Sequence, residues 1–137
     1  MINVNYLAVV ASAVASMVIG SIWYGPLFGK IFMREMGMDK WSAEEQAGMK
    51  KKMLQMYGQQ FVASLVMFYV FAWLVGGLNQ ISVVGGLAAA FWVWLGFVVP
   101  LKFGDALWGG KMSLFWLGIG EMLLTLLAGG VIIGMLK

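Results

Sequence analysis

Ala8-Val-Val-Ala-Ser12-Ala-Val-Ala-Ser16-Met-Val-Ile-Gly20-Ser-Ile-Trp23-Tyr24-Gly-Pro26-Leu-Phe-Gly-Lys30 is the stretch that decides the fold of this chain. The apolar run that contains it, about 6–24, comes near the ~20 residues that a helix needs to cross ~30 Å of hydrocarbon. Ala8, Ser12, Ser16 and Gly20 recur every fourth residue, so a helix carries them as one ridge of small side chains that a second backbone approaches closely. Trp23 and Tyr24 fall where amphipathic rings settle at headgroup level. Pro26 then withdraws an amide donor and turns the chain out of the span before Lys30.

Three further apolar segments, about 60–78, 81–101 and 113–136, are of similar length. With 137 residues, 62% of them hydrophobic and 11% charged, and a mean hydropathy of +0.89, the chain reads as one integral membrane domain over 1–137. The expected fold is all-α: a four-span transmembrane helical bundle with a cytoplasmic interfacial helix after the first span. Only Gly76-Gly77-Leu78-Asn79-Gln80 separates the second span from the third, which predicts a tight helical hairpin. No Lys or Arg precedes the first span, which is read as retained and not as a cleaved signal.

Charge supplies the orientation. Lys30, Arg34, Lys40, Lys50, Lys51 and Lys52 lie between the first two spans, Lys102 and Lys111 between the last two, and Lys137 alone on the other side. This bias places both connections in the cytoplasm and both termini outside. It also accounts for the net charge of +3 without a nucleic-acid partner. Lys50, Lys51 and Lys52 suit anionic lipid headgroups, at about 1 kcal/mol each, and enforcing topology explains them equally well. Membrane lipids are the expected partners. In the connecting segment, about 27–57, Leu27, Phe28, Ile31, Phe32 and Met36 fall on one side of a short helix and Lys30 and Arg34 on another, as suits the interface. Ser42-Ala-Glu-Glu45 is a capping box, so the second helix should start at Ala43 and project below the membrane.

The chain has no Cys and no His, which removes disulfides, thiolate metal sites, Cys nucleophiles and His bases. No metal, cofactor or enzymatic activity is expected. Twelve Met residues offer soft ligands for copper(I), but adaptable packing explains them better in the absence of Cys and His. Glu121 is the sharpest single residue. It sits nine residues into the fourth span, about 12 Å above the helix start, where a carboxylate costs several kcal/mol unless paired, hydrated or protonated. Gly118, Thr125, Ala128 and Gly129 share its face, and its layer should include Ser16 or Gly20, Gln60 or Ser64, and Trp94. Two readings compete. One is a proton or cation site made by Glu121 with Thr125, Ser16, Gln60 and Ser64, and the other is a carboxyl that hydrogen-bonds helices together. Lys102 and Asp105, three residues apart, are either a gate beneath that site or a solvated interfacial turn.

Trp23-Tyr24-Gly-Pro26-Leu-Phe-Gly-Lys30, the capped polar helix and Trp94-Leu-Gly-Phe-Val-Val-Pro100 together resemble a bacterial family of small four-span integral membrane proteins known only as a domain of unknown function. The likeness covers essentially the whole chain. It implies a four-span protein and carries over no catalytic residue. Pro26-Leu-Phe-Gly-Lys30 and Pro100-Leu-Lys-Phe-Gly104 also echo one another, as two hairpins related by an axis along the membrane normal would.

Two functions fit these residues. One is an assembly protein that forms homo-oligomers through the Ala8/Ser12/Ser16/Gly20 ridge and the Gly130-x3-Gly134 pair. The other is a small proton- or cation-coupled transporter or channel using Glu121. On either reading a reporter fused after Lys137 should be external and a tag inserted near Lys40 cytoplasmic; the opposite pair of results would overturn the orientation.

Overall fold

A computed structural model of the chain describes residues 3–79 and 81–136, so Gln80 of the hairpin link and Lys137 of the charge count lie outside the described residues. Six α-helices follow one another: α1 Tyr6–Ile22, α2 Gly29–Glu35, α3 Ala43–Gly77, α4 Val83–Val93, α5 Val99–Gly109 and α6 Met112–Met135. Two five-residue π-helical segments, Trp23–Leu27 and Trp94–Val98, extend α1 and join α4 to α5. The result is an all-α bundle with four helices long and apolar enough to cross a membrane: Tyr6–Leu27, Ala43–Gly77, Val83–Gly109 and Met112–Met135.

Local chemistry sets the ends. Ser42 Oγ accepts from the Glu45 amide at 3.2 Å and donates to Glu45 Oε1 at 3.3 Å, which starts α3 at Ala43. Ser82 Oγ caps α4 by accepting from the Gly85 amide at 2.9 Å. Gly110, at φ 74°, takes the left-handed conformation that stops α5. The third span therefore runs on past residue 101. Pro100 causes no break, because it falls in the first turn of α5 directly after the π segment. At 35 residues α3 is about 52 Å long, well beyond the bilayer core, and every residue from 51 to 60 is exposed.

The hub is α6, with 44% of its most apolar stretch buried against 22% to 28% in the other three spans. Antiparallel to it runs α1, in a register fixed at three points. Asn5 Nδ2 donates to the Leu136 carbonyl, Gly20 faces Glu121, and Trp23 Nε1 donates to the Leu117 carbonyl. That register puts Ser16 level with Thr125 and Ser12 level with Gly129. On another side α4 meets α6 backbone to backbone: a Cβ on Gly86 would strike the Gly130 carbonyl, one on Gly130 the Gly86 carbonyl, and one on Gly134 the Ser82 carbonyl. For its part α3 packs on α1 and reaches α6 through Phe68, whose ring fills the space left by the missing side chain of Gly129.

The short link between α3 and α4 does not make them packing partners. They touch little, because the glycines of α4 match those of α6 and not α3. The echo of two hairpins has no counterpart in the packing either, since α1 and α4 both flank α6. What the first and third spans do share is a π segment opened by Trp-x-Gly, Trp23-Tyr24-Gly25 and Trp94-Leu95-Gly96. Gly86→Ala and Gly130→Ala should each cost about 1–3 kcal/mol through overpacking, read as a lower thermal midpoint in detergent. Gly104→Ala, whose Cβ would enter open space, should leave the midpoint unchanged or raise it slightly.

Candidate functional site

Two indoles hold the middle of α6. Trp23 Nε1 donates to the Leu117 carbonyl at 3.0 Å and Trp94 Nε1 to the Ile119 carbonyl at 2.7 Å. Residues two apart lie about 200° apart around a helix, so the two rings approach from opposite sides. Each Trp opens its π segment, where an inserted residue re-aims the side chains of a helix and often marks a functional position. Gly120 makes room for the first ring: a Cβ there would stand 2.8 Å from Trp23 Cζ2.

The short helix α2 folds back beneath this clamp. Phe28 packs on Trp23 at 4.6 Å between ring centroids, and Phe32 on Tyr24 at 4.8 Å. Gly29 permits the fold, because a Cβ would lie 2.9 Å from the Tyr24 carbonyl oxygen. The far end of α2 is fastened to the start of α6, where Ser113 Oγ donates to Glu35 Oε2 at 2.8 Å and Lys111 Nζ to the Glu35 carbonyl at 3.1 Å.

Directly above lies Glu121, partly buried at the junction of α1, α5 and α6. Its Oε1 accepts from Thr125 Oγ1 at 3.0 Å and lies 3.5 Å from where a Cβ on Gly20 would stand. One turn below, the Cβ position of Gly118 is 3.9 Å from Lys102 Cδ and 4.0 Å from the Tyr24 hydroxyl. Lys102 and Tyr24 are thus polar groups that approach Glu121 from the end of the bundle that carries α2, and both lie close enough to interact with it electrostatically.

The structure gathers some of the expected residues and scatters others. Thr125 is bonded to Glu121. Ser16 is buried one turn away and donates to the Ala13 carbonyl at 2.7 Å, and Ser64 is buried on α3. Gln60 does not belong to the site. It is exposed on the free part of α3, because at that level the chain has left α1 through Pro26 and α2 has turned towards α6. Asp105 and Lys102 are both exposed, and the stem of Lys102 lies near Gly118. Lys30, Lys50, Lys51 and Lys52 are exposed. Ala8, Ser12, Gly118, Gly129, Gly130 and Gly134 are all buried inside the single bundle.

Sequence reasoning missed two things. It read Trp23 and Tyr24 as interfacial anchors, although the indole holds α6 and the phenol faces Gly118. It also overlooked Gly120, and Trp-x-Gly could not have pointed to it, because Trp116-Leu117-Gly118 repeats the motif within α6 without a π segment.

These features define a small helical membrane protein with a carboxyl held inside its bundle. The chain belongs to the family described as protein of unknown function (DUF1761), which residues 7–134 match. No curated protein and no solved structure matches it. Trp23→Phe and Trp94→Phe should each cost about 1 kcal/mol by removing one hydrogen bond. The double variant should come near the sum, since the rings act from opposite sides; melting of the four proteins in detergent checks both expectations.

Proposed function

We propose that this protein is a small proton- or cation-coupled transporter or channel of the bacterial cytoplasmic membrane, with Glu121 as its exchanging group. The observation that carries this reading is the partner of the Glu121 carboxyl. It accepts from the Thr125 hydroxyl on its own helix, and among the described residues no hydrogen bond of this carboxyl ties one helix to another. A carboxylate at that depth is costly, and intramembrane carboxyls that serve no joint usually mark ion or proton pathways. Gly20 leaves space beside Oε1, Tyr24 supplies a hydroxyl that both donates and accepts, and Lys102 brings a cation to the approach from the cytoplasm. The charge bias of the chain supports an orientation with that approach inside and both termini outside.

The competing reading, an assembly protein forming homo-oligomers, draws less support. The ridge Ala8/Ser12/Ser16/Gly20 and the pair Gly130 and Gly134 are used in contacts within one chain. One chain also frames the Glu121 site by itself. No enzymatic reaction is proposed, and lipids remain the expected surroundings.

Flux into liposomes tests the reading. The reconstituted protein should carry protons or a monovalent cation down a gradient, and Glu121→Gln, which keeps the shape of the side chain, should abolish the flux while leaving the melting profile close to the parent's. Equal flux in parent and Glu121→Gln would remove Glu121 from the mechanism.

A further inference from the structure

Four polar side chains are buried among the described residues, and all four are hydroxyls: Ser12 at 1% exposure, Thr125 at 2%, Ser64 at 3% and Ser16 at 8%. They lie on one side of Glu121. In the register of α1 on α6, Ser16 and Thr125 stand one turn beyond the carboxyl towards the termini, and Ser12 stands two turns beyond, about 12 Å away. Phe68 lies against Gly129, so Ser64, one turn nearer the connections on α3, falls at the depth of Ser12 to Ser16. Thr125 is bonded to Glu121 and Ser16 to its own backbone.

Ser12 differs from the others. Its Oγ is buried without a hydrogen-bond partner, a condition that costs about 1–3 kcal/mol. Serines in helices commonly relieve this by bonding back to a carbonyl of the preceding turn, as Ser16 and Ser21 do here. Ser12 makes no such bond. One turn further on, Ala8 lines a crevice of about 30 Å³ together with Asn3, Asn5, Ala72, Ile133 and Leu136, large enough for water.

We propose that these hydroxyls, together with water, form a proton path from Glu121 to the outer crevice, with Ser12 as its outer relay. The proposal rests on the reading of Glu121 as an exchanging group and adds the route and the carried species. Each hydroxyl accepts a proton on oxygen while passing its own to the next oxygen. The Glu121 carboxyl gives up a proton to become carboxylate, one proton leaves to water in the crevice, and the hydroxyls are regenerated. Beside the path, the ring of Phe68 is fully buried against Gly129.

The test exploits the absence of cysteine from the chain, which leaves the thiol S–H stretching window of the infrared spectrum silent. Ser12→Cys puts a single reporter on the path, and Ala90→Cys puts one at an equally buried position on the α4 side. In liposomes transferred to D₂O, the Ser12→Cys band should move promptly to its S–D position while the Ala90→Cys band persists. An S–H band that persists at Ser12→Cys, or equal exchange at both positions, would overturn the path. Should Ser12→Cys fail to melt cooperatively, Ser16→Cys is read by the same criteria. A flux lost in Glu121→Gln with no exchange at Ser12→Cys would keep the carboxyl site and remove only this route.

Discussion

Everything in this bundle depends on how closely α4 can approach α6. In lipid no hydrophobic force drives helices together, because acyl chains are as apolar as leucine, so association rests on close packing and hydrogen bonds. Gly86, Gly130 and Gly134 supply that packing by bringing two backbones into direct contact. The contact fixes α4, and with it the π segment that delivers the Trp94 indole to the Ile119 carbonyl. On the other flank Gly129 does the same for Phe68, and Gly120 for Trp23. One helix rich in glycine thus serves as the surface on which the other spans are placed.

Glu121 follows directly after the segment of α6 held from both sides, so the groups that pin α6 also fix the position of the carboxyl. The two indoles, the α2 helix folded back under Trp23 and Tyr24, and the fastening of Glu35 to Ser113 all act on the same few turns. These contacts are concentrated next to the carboxyl, while the free half of α3 carries none of them.

How much of this could be read beforehand follows from which forces are local. Hydropathy located the four spans, and Ser42-Ala-Glu-Glu45 set the start of α3, because insertion and capping depend on neighbours in sequence. Depth along the helix was enough to single out Glu121, and spacing alone grouped it with Thr125. Partner choice was not legible. A glycine shows that something comes close but not what, so Gly130 and Gly134 read as well for an oligomer as for the contact with Gly86 and Ser82 that they make. Gln60 fell outside because counting residues gave its face but not the point at which α1 departs. The π segments carried no signal of their own, since Trp-x-Gly is common in apolar sequences and its meaning depends on the carbonyl that the indole finds.

The order of the spans along the chain has a consequence for how the protein is made. Synthesis runs from the N-terminus, so the hub is the last of the four spans to leave the ribosome. Until it does, α1 and α3 have each other, but α4 enters the bilayer with almost nothing to hold, its glycine face bare and the Trp94 indole without its carbonyl. Closure of the bundle is therefore a late event, in which one arriving helix threads between spans already present and gathers them around a carboxyl that it brings with it.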